Sequence, residues 1–303
     1  MPVRLATRAD IPIMATVLSA AFGPDSLFQH LFPYQDEYPQ DMESAMRENL
    51  WLAFYDVKKV LMISYESTPK DGGEEEGGGE RQALIPRKGR AGEGTITGLA
   101  EWERGVNGKG AGFANGFWGQ WDPRKFNPAF KPLTISIPLS KKKHRPKQYL
   151  GRLMKPLLST FYRVRRIFIP NRATNRLRPT QTNPKPMTYW NFGPIIFPFV
   201  KQFMAAPHRA KHWSLEILGV HPAHQGKGYG KELVQRGLEV LAQGDPEGDL
   251  PACVVAADGK EEFYRRVGFP ELVGWVSRSW DENGKENPFR GIGVGGGAVL
   301  WSR

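Results

Sequence analysis

Residues 213–242 read WSLEILGVHPAHQGKGYGKELVQRGLEVLA, and the order of residue types in that stretch decides the architecture. The apolar run Leu215 to Val220 predicts a strand, and a His-Pro turn ends it. The segment that starts at Gln225 then places apolar residues at Leu233, Val234, Leu238 and Leu241, which is helical spacing. The unit is strand, glycine-rich loop, helix. Glycines in the first turn of a helix leave backbone N–H groups uncovered, at the positive end of the helix dipole. Lys227 and Lys231 add charge at the same place, so the loop is suited to a phosphorylated ligand.

Two common phosphate loops are excluded by spacing. Gly226, Gly228 and Gly230 run GxGxG, not the GxGxxG of dinucleotide sites. The pair Gly230-Lys231 is followed by Glu232, where a nucleotide-triphosphate loop needs Ser or Thr for magnesium. The pattern present is Gln-x-x-Gly-x-Gly after a strand ending LGVHP. It resembles the acetyl-CoA signature of the GNAT (Gcn5-related) N-acetyltransferase superfamily. The resemblance implies an α/β (α+β) fold with a mixed central sheet of about six or seven strands and about four flanking helices. It also implies that the amides of Gln225, Gly226, Lys227, Gly228, Tyr229 and Gly230 take the pyrophosphate of CoA, with Lys231 beside them. Leu218, Gly219 and Val220 would pair with the pantetheine arm as a further strand, and a backbone N–H there would meet the oxyanion.

The second half of that signature follows in order. ACVVA, Ala252 to Ala256, reads as a short buried strand, and 259–267 as a helix ending FYRRVGF, 263–269. By resemblance Tyr264 protonates the departing CoA thiolate; ring packing beside Phe263 is its structural alternative. Asp258 stands where many members carry Asn or Ser, so its contact with the cofactor is an expectation only. For the base, Ser214, Glu216 and Leu218 fall on one face of a regular strand. By resemblance the groups that take the amine proton occupy this strand at these offsets, and an acid in an apolar strand beside a cleft gains a raised pKa, which suits Glu216 to that task. A glutamate that merely pairs with a neighbouring strand is the alternative. Cys253, the single cysteine, reads as a core residue, and no disulfide framework or metal-ligand spacing is present.

Outside this block the organisation is less explicit. Residues 3–6 predict a first strand, Thr7 and Asp10 a capping box, and a helix runs to about Phe22. A second helix is predicted over 42–54, and a hairpin from 57–64 and 95–103. Its connection, 66–94, contains GGEEEGGGE and reads as a disordered loop. The last strands are predicted over 272–278 and 298–302. The domain reading is 1–104 and 213–303 as two halves of one domain, interrupted by residues 105–212.

That interruption carries the charge. From Gly105 to Lys211 there are 21 Lys and Arg against the single acid Asp122, which is +20 of local charge in a chain of net +11. Helical spacing holds over 150–161, and prolines at 170, 179, 184, 186, 194 and 198 argue against a long element after it. Three readings stay open: a lid over the acceptor pocket, a surface at 141–178 for an anionic partner (nucleic acid or a membrane face), or partial disorder. The functional expectation is an acetyl-CoA-dependent N-acetyltransferase acting on a primary amine of a small molecule or peptide, through a ternary complex and without a metal. The alternative is an inactive CoA-binding module whose basic insertion binds the anionic partner. No apolar stretch is long enough to span a bilayer. With no signal-peptide pattern at residues 1–10, the expected location is the cytoplasm, or the nucleus given the basic run 141–147.

Overall fold

The computed structural model describes residues 2–66, 94–106, 145–174, 187–245, 247–290 and 294–303, without the side chains of 106 and 145–153. The expected loop at 66–94 therefore lies, except for its ends, outside the described residues. So does much of the basic insertion.

The chain begins with β1 (Val3–Leu5), a short 3-10 turn and α1 (Ile11–Phe22). The carboxylate of Asp10 accepts from the backbone N–H of Thr7 at 2.7 Å and from its hydroxyl at 2.6 Å, and Arg4 binds the same carboxylate. Next come α2 (Ser26–Leu31) and α3 (Pro39–Phe54). The sequence reading missed α2, a six-residue helix held by the Asp25 side chain accepting from the amides of Leu27 and Phe28. β2 (Lys59–Glu66) and β3 (Thr95–Val106) form the expected hairpin. Within the insertion, α4 spans Arg145–Phe168 and α5 spans Phe192–Val200. α5 forms in spite of its prolines: Pro194 sits in the first turn, where its missing N–H has no intrahelical partner, and Pro198 costs one interior bond.

β4 (Lys211–Val220), α6 (Tyr229–Gly244), β5 (Ala252–Ala256), α7 (Glu261–Val267), β6 (Glu271–Trp275) and β7 (Ala298–Trp301) complete the chain. The expected strand at 272–278 is shorter than the spacing suggested, because a 3-10 turn takes over at Val276. The seven strands make one sheet in the order β1-β2-β3-β4-β5-β7-β6. Every neighbouring pair is antiparallel except β4 and β5.

Strand alternation sends side chains to two cores. On one face Leu61, Ile63 and Leu99 pack with α1 and α3; on the other Met62, Ala100, Trp102 and Leu215 pack with α6 and α7. A third group around Cys253, Val299 and Trp301 is covered by α5. The order of elements is that of the mixed α/β fold expected from the resemblance.

Candidate active site at the divergence of two strands

The functional geometry starts from a pairing that stops early. β4 and β5 run side by side only from Trp213, opposite Ala252, to Leu215, opposite Val254. Beyond that point Ile217 to Val220 pair with β3 alone, and β5 continues to Ala256 paired with β7 alone. The two central strands therefore part, and each presents an unpaired backbone edge to the gap.

The gap opens toward the glycine loop. Gly226 and Gly228 have φ of +76° and +88°, the left-handed region in which a side chain is strained, and Gly228 is the N-cap of α6. The first bond into the helix runs from Glu232 N–H to Gly228 C=O at 3.1 Å. Among the described residues, the backbone N–H groups of 226–231 have no hydrogen-bond partner. Six amides gathered at the positive end of a helix form a cradle for a phosphorylated ligand. The Gln225 side chain, in contrast, folds back to donate to Val220 C=O at 3.0 Å and closes the turn. The Lys227 ammonium lies 3.7 Å from Glu66, and Lys231 is exposed.

Glu66 is a residue the sequence reading did not find. From the end of β2 it accepts a 2.6 Å hydrogen bond from the Tyr229 hydroxyl and lies 3.2 Å from Nδ1 of His224. The Tyr229 bond holds the Glu66 carboxyl below its ordinary range. Partial burial and the neighbouring carboxylate push the Tyr229 phenol up to about 12. One carboxylate thus joins the turn before the loop to the first residue of the helix after it.

The strand itself corrects one expectation. The register between β3 and β4 slips, with Glu101 opposite Ile217 and Trp102 opposite Leu215, so Glu216 is the extra residue of a β-bulge. Past the bulge the alternation is reset. Ile217 packs with the α1 and α3 core, whereas Leu218 packs with Leu215 on the α6 side. Ser214 and Glu216 therefore share surroundings, and Leu218 does not join them. Gly219 passes so close to α1 that an added Cβ would lie 2.8 Å from Leu18 Cδ2.

Glu216 sits half-buried on the α1 and α3 side of the sheet. Burial pushes its carboxyl up to about 7, with Glu103 adding to the rise and Lys59 and a hydrogen bond from Ser214 opposing it. Tyr264, on α7, lies with Phe263 and Phe269 on the other side, at ring-centroid distances of 5.1 and 6.1 Å. Burial raises its phenol well above the ordinary tyrosine value. Its hydroxyl has no hydrogen-bond partner among the described residues, so ring packing and a free phenolic proton coexist at this position. Asp258 is exposed and lies along the glycine segment before β7, where a Cβ on Gly296 would fall 2.4 Å from its backbone nitrogen. Cys253 is fully buried, and burial pushes its thiol up to about 12. No group of His, Cys, Asp or Glu among the described residues is arranged to hold a metal ion.

The described part of the insertion folds onto the domain. Lys155 pairs with Asp56, Arg165 and Arg166 with Glu48, and Arg172 with Asp41. Ala173 is fully buried in the α1 and α3 core, and Met187, Tyr189, Trp190 and Phe192 pack against it. The outer face of α4 remains apolar and exposed at Phe161, Ile167 and Phe168. No helix among the described residues is long and apolar enough to cross a membrane.

Residues 199–271 match the family model of the acetyltransferase (GNAT) domain, a span from the end of α5 to the start of β6. Solved structures similar to the chain include a histone acetyltransferase and related acetyltransferase from Corynebacterium glutamicum, with 16% identity over 99% of this chain and 94% of that one and a TM-score of 0.46. Another is arylalkylamine N-acetyltransferase 2 from Aedes aegypti, with 13% identity over 99% and 97% and a TM-score of 0.36. A third is a GNAT family acetyltransferase from Brucella melitensis in complex with acetyl-CoA, with 11% identity over 88% and 81% and a TM-score of 0.33.

Proposed function

We propose, from the match of residues 199–271 to the acetyltransferase (GNAT) domain model, that the chain moves an acetyl group from acetyl-CoA to a primary amine, with both bound at once. The observation that carries this reading is the parting of β4 from β5 in front of six unpartnered loop amides. Such a cradle fits a pyrophosphate, and the unpaired edge of Leu218, Gly219 and Val220 fits an extended amide-bearing arm. Acetyl-CoA supplies the reactive thioester.

The chain's own groups then have separable tasks. The amine must lose a proton to attack, and Glu216, half-buried with its carboxyl near 7, is the proposed base. The leaving thiolate must gain one. Tyr264, kept protonated by burial, is the proposed acid. Backbone amides near the bulge are the proposed donors to the oxyanion. The insertion is read as a lid: its buried Ala173 and the aromatic pair Tyr189 and Trp190 cover the α1 and α3 side, where Glu216 lies. A buried single thiol suits a reducing compartment such as the cytoplasm.

The test is thermal stability with acetyl-CoA, CoA, ATP and NAD, followed by thiol release with a panel of amines. A ligand at about a hundred times its dissociation constant adds roughly 2.7 kcal/mol to the folded state. Stabilisation by acetyl-CoA and CoA alone, then amine-dependent release of free thiol, is the expected result. No stabilisation by either would overturn the assignment of the loop.

A further inference from the structure

Three carboxylates and one ammonium are gathered beneath the cleft, and their placement follows from strand register. Lys59 on β2 is opposite Glu103 on β3, and Glu103 is opposite Ser214 on β4. Two residues along β3, Glu101 is opposite Ile217. Glu216, the bulged residue, falls between those two rows on the same face. Glu101 and Glu103 are 1% and 3% exposed, and the Lys59 side chain is 11% exposed. The ammonium contacts Glu101 Oε1 directly and lies 3.0 Å from Glu103 Oε2.

Among the described residues, the other groups around Glu216 do not supply a second cation. Ser214 on the same strand is neutral. The Cys253 thiol on β5 and the Tyr189 phenol from the insertion are both pushed up by burial and stay protonated at neutral pH. Glu48, which the Tyr189 phenol senses, is already engaged by Arg165 and Arg166. Arg209, near Cys253, pairs with Glu271. Lys59 is held charged because its three carboxylate neighbours outweigh the cost of its burial. Its ammonium is in direct contact with Glu101 and Glu103, so among the described residues Glu216 is the carboxylate left without a cation of its own.

We propose that Lys59 is a positioning residue: its ammonium, shared by Glu101 and Glu103, governs the charge state of Glu216. The inference rests on the reading of Glu216 as base only for its catalytic meaning; the electrostatic claim stands on the cluster alone. A cation within a few ångströms of a carboxyl group lowers its pKa, and a neighbouring carboxylate raises it, by about one to three units in each case. Changing the two kinds of neighbour must therefore move Glu216 in opposite directions.

The experiment is an infrared titration of the protonated carboxyl band, assigned by its loss in Glu216→Gln, which needs no acceptor and no turnover. In Glu103→Gln the midpoint should fall by about one unit or more. In Lys59→Met it should rise by a similar amount, and Lys59→Arg should return it toward the wild-type value. Where acetyl transfer is measurable, the acid limb of kcat/KM should move with the band. An unchanged midpoint in Glu103→Gln, or shifts of the same sign in Glu103→Gln and Lys59→Met, would overturn the proposal. If Lys59→Met leaves the buried acids too costly to fold around, the double variant Lys59→Met, Glu103→Gln replaces it, and its midpoint should lie above that of Glu103→Gln. Full acetyl transfer by Glu216→Gln would remove the base assignment and leave the band shifts to be judged on their own.

Discussion

The helix that presents the loop amides is pinned by one contact that can be turned around by substitution. Gly237 lies in the middle of α6, and a Cβ there would fall 2.6 Å from Cζ2 and Nε1 of Trp102 and 2.7 Å from Cε2. The indole is fully buried and stacks on Phe269 at 6.4 Å and 19°, so it cannot retreat. Its Nε1 has no hydrogen-bond partner, as expected of a ring pressed flat against a helix backbone. Gly237→Ala gains about 0.8–1.0 kcal/mol of helix propensity and loses about 1–3 kcal/mol to overpacking. The net expectation is destabilisation by about 1 kcal/mol, or roughly 2–4 °C in Tm for a domain of this size. In a Trp102→Val background the ring atoms in the way are gone, and the same substitution should stabilise by about 1 kcal/mol. The sign inverts, and the coupling is about 2 kcal/mol, within the range for residues in contact. Urea unfolding followed by circular dichroism measures it through the midpoint at constant m. Equal stabilisation by Gly237→Ala in both backgrounds would show that the helix does not rest on the indole.

Four further outcomes follow from the site and its supports. Tyr264→Phe should lower turnover by roughly 10²–10⁴-fold while acetyl-CoA affinity, read by calorimetry, stays within about twofold of wild type; unchanged turnover removes its role as acid. The rate of acetyl transfer should rise with pH through about 7, because the proposed base works as the carboxylate and its carboxyl is raised by burial; a flat profile over that range counts against Glu216. Asp10 is held below its ordinary range because hydrogen bonds from Arg4 and Thr7 outweigh its burial. Its stabilisation is complete above the unfolded carboxylate value and is lost as pH falls through the lower folded value, so Asp10→Asn should cost about 1–3 kcal/mol at pH 7 and progressively less in acid. Alkylamines that are cationic at pH 7 should be acetylated with higher kcat/KM than carboxylate-bearing amines of equal size; the reverse order would mean that the Glu101, Glu103 and Glu216 wall does not face the acceptor.

How much of this was readable in advance depends on how local the causes are. The unit formed by β4, the loop and α6 is coded within thirty residues, by an apolar run, a Pro turn, glycines at the helix start and a 3.6-residue repeat. The parting of β4 from β5 is implied by the resemblance, but its location after Leu215 needs the register. The bulge at Glu216 is a property of two strands, set where Glu101 and Trp102 take their partners, and no pattern within β4 announces it. Glu66 reaches Tyr229 from 163 positions away in the chain. A signal for the buried cluster was nevertheless present in TITGLAEWE: Glu101 and Glu103 alternate with apolar residues in a strand, so both point to one face. Two acids on one face of a central strand require a cation, and the Lys58-Lys59 pair where the hairpin's first strand begins offered a candidate.

Charge is where composition and structure part most clearly. A segment of +20 invites an acidic partner or acceptor, yet Lys155, Arg165, Arg166 and Arg172, on α4 and its following turn, pair with Asp56, Glu48 and Asp41 of the domain. Those pairs fix the described part of the insertion to α3 and to Asp56 just after it, on the side of the sheet where the acid cluster lies. Inside, among the described residues, the balance is reversed, with Glu101, Glu103 and Glu216 against Lys59 alone. A low-dielectric site magnifies that difference, while exposed charges on the insertion are screened within about 8–10 Å at physiological salt. On the proposed reading, the field that an acceptor meets at the cleft is therefore set by Glu101, Glu103, Glu216 and Lys59 rather than by the net charge of the chain. An amine arriving as its ammonium would complete the cluster, and giving its proton to Glu216 would leave the neutral nucleophile in place at the parting of the strands.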